Sequence, residues 1–337
     1  MTPPRQTADH VVRDTLRTKE NLHDLLGSAL PGEVANFDFA HFEEVPREFF
    51  TGDWREREAD LIFEVGYRVA GQTVPSLVGV MVEHQTNPDR LLPFRALFLL
   101  VNYWERRLRQ HEQTPPARPG EDRPEFRLPP VFCVVLYTGP RVWGSNTNVR
   151  QLLGEPQALH QFCPDWGPQF WNLAGRSADD LLAGTPWMQL MAVLRVEDEE
   201  RAEFERVLTA VNRRLGPIAD TQNARWSQLI RAIYAYSLFK RPASEHPRIK
   251  AIMERENPAR VEEVRTMEKT IAQAMEERGE LREARRALLR LLRSRLRGDC
   301  PEELLRQIEA SVNVKELQNA FDRAVDLDDL TGFQLRD

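Results

Sequence analysis

Glu83 and Gln85 stand one residue apart where an apolar run, Leu77-Val78-Gly79-Val80-Met81-Val82, gives way to Glu83-His84-Gln85-Thr86. A second apolar run, Leu61-Ile62-Phe63, begins directly after Arg57-Glu58-Ala59-Asp60. Two neighbouring strands that bring Asp60 and Glu83 to one point would make a divalent-metal site. Mg²⁺ favours octahedral oxygen ligation and takes one or two protein carboxylates, with waters and substrate phosphate completing the shell. Asp60, Glu83 and the backbone carbonyl of His84 meet that need, and Mn²⁺ would be a substitute. A cation held there would activate and orient a water and neutralise charge developing on a phosphodiester. Gln85 would hold that water by hydrogen bonding, without the electrostatic help of a lysine. An acid at a strand start and an E-x-Q pair at a strand end also arise by chance, so an ordinary strand end stays open beside the metal site. His84 by itself reads as a structural or solvent-exposed residue rather than a ligand through its ring.

The elements that must position these groups follow from periodicity. Ala59 to Val69 and Ser76 to Glu83, with Gly71-Gln72 between them, read as a β-hairpin. Side chains alternate along a strand, so Glu83 and Gln85 share one face and His84 takes the other. The second strand is apolar on both faces and is expected to be central and covered by helices. Phe94, Leu97, Phe98, Val101 and Trp104 recur at helical spacing, which predicts a helix over Pro93 to Gln110. Thr114 to Pro130 holds six prolines in 17 residues and reads as a loop. It leads into a third buried strand, Val131 to Tyr137, ended by Thr138-Gly139-Pro140. With one or two helices over residues 7–28, the order helix, strands, helix, strand gives an α/β core over residues 1–180.

Beyond that core the chain reads as helical. Val196 to Leu215 and Ala224 to Phe239 are amphipathic, and Arg241-Pro242 ends the second of them. Residues 181–275 form a helical extension and linker, and 276–337 a small helical unit. Leu281 to Arg297 carries seven Arg and one Glu around an apolar stripe of Leu281, Leu288, Leu292 and Leu296. Gly298 is placed to stop that helix. Asp299-Cys300-Pro301-Glu302 reads as a cap with acids in the next first turn, and a last helix runs over Val314 to Val325.

Composition sets the outer bounds. The chain has 337 residues, 41% of them hydrophobic and 29% charged, with seven Trp and sixteen Phe. That is ample for a buried core and too long for one compact unit. No apolar stretch approaches the roughly 20 residues of a membrane span. The start, Met1-Thr2-Pro3-Pro4, lacks a signal-peptide pattern, and a cytoplasmic protein is expected. Three scattered cysteines exclude a disulfide framework or a zinc cluster. A net charge of −6 neither announces nor excludes a nucleic-acid binder, because binding depends on a local patch.

Three blocks in order carry a resemblance: Arg57-Glu58-Ala59-Asp60-Leu61-Ile62, Val82-Glu83-His84-Gln85-Thr86, and Asp89 through Pro93-Phe94-Arg95. With Leu30-Pro31-Gly32-Glu33 and Pro129-Pro130-Val131 through Leu136-Tyr137-Thr138-Gly139 and Trp143, they resemble the recombination-promoting nucleases, also called putative transposases, of the PD-(D/E)XK superfamily. The similarity covers residues 7–240. It implies a restriction-endonuclease-like core, a mixed central sheet flanked by helices, followed by an all-helical C-terminal region. It also implies Mg²⁺-dependent DNA cleavage with Asp60, Glu83 and Gln85 in the catalytic positions.

Family members begin with a His-Asp pair followed by a Phe; here Ala8-Asp9 with Val12 occupies that stretch. Asp9 is then either an accessory acid or a helix cap. Arg95 matches the family's arginine after the E-x-Q strand and either touches a phosphate or pairs with an acid on a helix face. The residues from about Arg278 onward resemble a small helical domain that follows such nucleases. Arg285, Arg286, Arg290 and Arg293 are its phosphate-binding candidates, with a solvated helix face as the alternative.

The expected function is a metal-dependent DNA endonuclease linked to recombination or mobile elements. The alternative is a catalytically inactive protein on the same scaffold that binds DNA or oligomerises through its C-terminal helices.

Overall fold

A computed structural model describes residues 5–45, 61–69, 76–115, 123, 125–295, 300–327 and 333–335. The chain starts with two helices, α1 (Arg5–Leu16) and α2 (Lys19–Ala29), which carry Val11, Val12, Leu16, Leu22, Leu25 and Leu26 into the interior. A five-stranded sheet follows in the spatial order β1 (Phe37–Glu44), β2 (Leu61–Tyr67), β3 (Ser76–Gln85), β4 (Val131–Tyr137), β5 (Gln169–Asn172). The β1–β2 and β2–β3 pairs are antiparallel, whereas β3–β4 and β4–β5 are parallel. A parallel pair needs a crossover, and α3 (Leu92–Gln113) supplies it between β3 and β4.

The hairpin read from the apolar runs is the β2–β3 pair, in register from Leu61↔Val82 to Tyr67↔Ser76. Strand β3 is the middle strand and is buried on both faces from Val78 to His84, as its unbroken apolar run requires. Two strands carry no clear sequence signal. Strand β1 mixes Phe with acids and is interrupted by a register shift between Asp38 and Phe42. Strand β5 has only four residues.

Each face of the sheet has its own cover. Ile62, Met81 and Cys133 pack against Ala96, Leu99 and Tyr103 of α3. Tyr103 donates to Glu64 at 3.2 Å, and Arg107 pairs with the same carboxylate at 3.2 Å, so α3 is also tied to β2 by charge. On the reverse face, Trp171 of β5 reaches Ser28 of α2 with its indole N–H at 2.8 Å and meets the Trp187 ring.

Packing divides the chain into two compact units, Met1–Arg260 and Val261–Asp337, where composition suggested boundaries at 180 and 275. Helices α4 (Ala178–Ala183), α5 (Pro186–Arg195), α6 (Arg201–Leu215), α7 (Asn223–Lys240) and α8 (His246–Glu256) belong to the first unit. Helix α5 is buried from Trp187 to Leu194. The second unit holds α9 (Val261–Arg295), α10 (Glu302–Ala310) and α11 (Val314–Asp326). Helix α9 therefore starts well before the expected Leu281, because the charged stretch before it lacks any proline and holds its turns through Gly279. The core of the second unit joins Leu288 and Leu292 to Leu304, Ile308, Leu317 and Ala320. Gly298, Asp299 and Leu296, assigned to a helix stop, a cap and the apolar stripe, lie outside the described residues. Among the described residues no helix is long and apolar enough to cross a membrane.

Candidate functional site

The carboxyl end of β3 carries the three candidate residues in a row. Glu83 is 6% exposed, and Gln85 is half-buried. Alternation from Met81, which packs under α3, puts both on the α3 face of the sheet. The neighbouring strand agrees: in the parallel register Met81 faces Cys133, Glu83 faces Val135 and Gln85 faces Tyr137. Leu92, Val135, Tyr137 and Trp143 form an apolar floor beside them. Asp60 lies outside the described residues; its chain neighbour Leu61 pairs with Val82, the residue before Glu83. Among the described residues no three His, Cys, Asp or Glu side chains form a metal cluster.

The electrostatics of this face are set by burial. Burial pushes the Cys133 thiol well above its ordinary range, and the nearby Glu83 charge pushes the same way. Burial likewise raises the Tyr137 phenol. A thiol so held is a poor nucleophile, since the thiolate is the reactive form. Cys133 is therefore expected to resist iodoacetamide in the native chain and to react only on unfolding. The half-buried Cys163 would be labelled natively. Mass spectrometry of peptides from native and denatured protein checks this; native labelling of Cys133 would contradict it.

His84 points to the opposite face. Its Nδ1 lies 3.2 Å from Asp9 Oδ1, and its Nε2 lies 2.8 Å from Thr138 Oγ1. Asp9 sits inside α1 and also pairs with Arg13 at 3.0 Å, so it is not a helix cap. Nor does it share the face of Glu83. Burial alone would raise the Asp9 carboxyl, but the His84 hydrogen bond and the charges of Arg13, His84 and His10 outweigh it and hold the group below its ordinary range. Thr138 escaped the sequence reading because its place depends on the parallel register of β3 with β4. Gly139, next in the turn, has no room for a side chain: a Cβ there would collide with the Tyr137 phenol and the Thr86 carbonyl.

The cationic candidates divide. Arg95, on the first turn of α3, pairs with Asp89, whose carboxylate also accepts the Leu91 N–H at 2.8 Å. In the second unit, Arg285 donates to the Ser311 carbonyl at 2.5 Å, and Arg286 pairs with Glu283 at 3.1 Å. Arg290 and Arg293 are exposed. Arg295, which sequence reasoning did not single out, donates to the carbonyls of Ala324, Val325 and Leu327 and so satisfies the end of α11.

The fold and the β3 terminus define an α/β protein with a mixed sheet that presents an acid and an amide on one face of its middle strand. Residues 6–196 match the family described as putative transposase, YhgA-like, and the chain belongs to that family. No curated protein matches it, and no solved structure does. The family's description, putative transposase, points to a function related to mobile elements.

Proposed function

We propose that this protein is a metal-dependent endodeoxyribonuclease with a restriction-endonuclease-like core, acting in DNA recombination or mobile-element activity. The observation that carries the proposal is the placement of buried Glu83 and half-buried Gln85 together on one face at the carboxyl end of the middle strand. Crevices at the carboxyl ends of strands are the usual ligand sites of open α/β sheets. The donor chemistry fits a hard divalent cation: the carboxylate of Glu83 and the carbonyl of His84 offer oxygen ligands, and a buried carboxylate is favoured by a cation beside it. Asp60 would complete the set.

In this reading Glu83, Asp60 and the His84 carbonyl hold Mg²⁺ or Mn²⁺, which when bound supplies charge neutralisation and a more acidic water. Gln85 orients the attacking water toward the phosphodiester through its side-chain oxygen. The apolar floor of Leu92, Val135, Tyr137 and Trp143 keeps bulk water off that side of the site. The test is incubation of the purified chain with supercoiled plasmid in Mg²⁺, in Mn²⁺ and in EDTA. Nicked and linear products in the metal lanes alone are expected. Salt-sensitive DNA binding with no cleavage in any lane would instead assign a non-catalytic DNA-binding role.

A further inference from the structure

One residue of the site strand has a side chain with no role in the chemistry just described. The His84 ring is 2% exposed, lies on the face away from Glu83 and is held from both ends. Asp9 comes from α1, and Thr138 comes from the turn after β4. A carboxylate only accepts hydrogen bonds, so His84 Nδ1 donates to Asp9; in the neutral ring Nε2 then accepts from the Thr138 hydroxyl. The Thr138 backbone N–H also donates to the Gln85 carbonyl at 2.9 Å. Three points thus fasten the last two residues of β3 to two separate elements. Asp9 is itself anchored by Arg13.

We infer that His84 is a positioning residue: the Asp9–His84–Thr138 chain sets the rotation of the β3 end, and with it the direction in which Glu83 and Gln85 project. The inference rests on the nuclease reading for its consequence in activity. The physical reason is the alternation of the strand. Three successive side chains leave one backbone on alternate faces, so a ring locked on the reverse face leaves the strand end no freedom to twist about its axis. Outer residues that orient metal ligands in this way typically cost about 10- to 100-fold in affinity or activity when removed.

The experiment uses Asp9→Ala, Thr138→Val and Thr138→Ser in the full chain. It measures Mg²⁺-dependent plasmid cleavage, thermal midpoint and amide hydrogen exchange at Gln85 and Thr138. Asp9→Ala and Thr138→Val are expected to lower kcat by about 10- to 100-fold with KM for DNA unchanged. Exchange at Thr138 is expected to quicken in both, with the thermal midpoint little moved. Thr138→Ser restores the hydroxyl and is expected to restore both kcat and slow exchange. Equal losses in Thr138→Ser and Thr138→Val, or unaltered exchange in Asp9→Ala and Thr138→Val, would overturn the positioning role. So would variants that cleave as fast as an active wild type. A wild type that does not cleave, with exchange shifting as described, removes the nuclease reading and leaves the positioning of the strand end standing.

Discussion

Glu83→Gln is expected to abolish metal-dependent cleavage while leaving the chain folded. The substitution keeps size and burial but removes the charge, and a neutral amide at 6% exposure holds a divalent cation far more weakly than a carboxylate does. Removing one electrostatic contributor at a transition state costs about 10²–10³ in kcat, and losing a metal-holding carboxylate should fall at or beyond the upper end. Asp60→Asn is expected to act alike. The double variant should be no worse than either single, because residues that act as one unit are not additive. Plasmid nicking at saturating Mg²⁺, beside a circular-dichroism check of the fold, measures this. Retention of wild-type rates in both single variants would remove these residues from the chemistry.

Asp24→Ala is expected to cost about 3–5 kcal/mol of stability in the first unit. Asp24 and Arg225 form an ion pair with side chains 8% and 9% exposed, joining α2 to α7. Asp24 also accepts the Trp187 backbone N–H at 3.1 Å at the start of α5, and Arg225 donates to Asn21 at 2.8 Å. Truncating the acid leaves a guanidinium that is only 9% exposed without its counter-charge. Replacing both partners, as Asp24→Leu with Arg225→Leu, removes the stranded charge and is expected to recover much of the loss. All seven tryptophans lie within Met1–Arg260, so denaturant unfolding followed by tryptophan fluorescence reads this unit alone. A single variant within about 1 kcal/mol of wild type would show that the pair contributes little.

The parts of the molecule legible in advance are those where one physical signal dominates. Val131 to Tyr137 is a strand by apolar run and flanking proline and glycine, and β4 occupies those residues. The β2–β3 hairpin and α3 were legible for like reasons, from two apolar runs parted by Gly71-Gln72 and from helical spacing. Strand β1 was not, because acids and a register shift break its alternation. Strand β5 was too short to stand out from its loop. At the site, the shared face of Glu83 and Gln85 follows from alternation within one strand. The meeting of His84 with Asp9 and Thr138 does not, because it needs the register between two strands and the seat of α1 on the sheet. The same limit applies to the arginines of α9. Their spacing shows a basic face, but only packing reveals that Arg285 and Arg295 are committed to backbone carbonyls.

The change from antiparallel to parallel pairing at β3 bears on the order in which the sheet is built. Strands β2 and β3 close a short connection between Tyr67 and Ser76, whereas β4 joins β3 only after the chain has passed through α3 and the proline-rich stretch. Closing a longer loop costs more entropy before any contact offsets it, so local pairs form sooner. A nascent chain would hold the β2–β3 hairpin first and receive β4 and β5 afterwards, a sequence that pulse-labelled hydrogen exchange during refolding would resolve. The strand end bearing Glu83 would then be flanked on one side only until late in folding. A newly made protein would hold the residues of its proposed cutting centre on one hairpin before the turn after β4 arrives to fasten them.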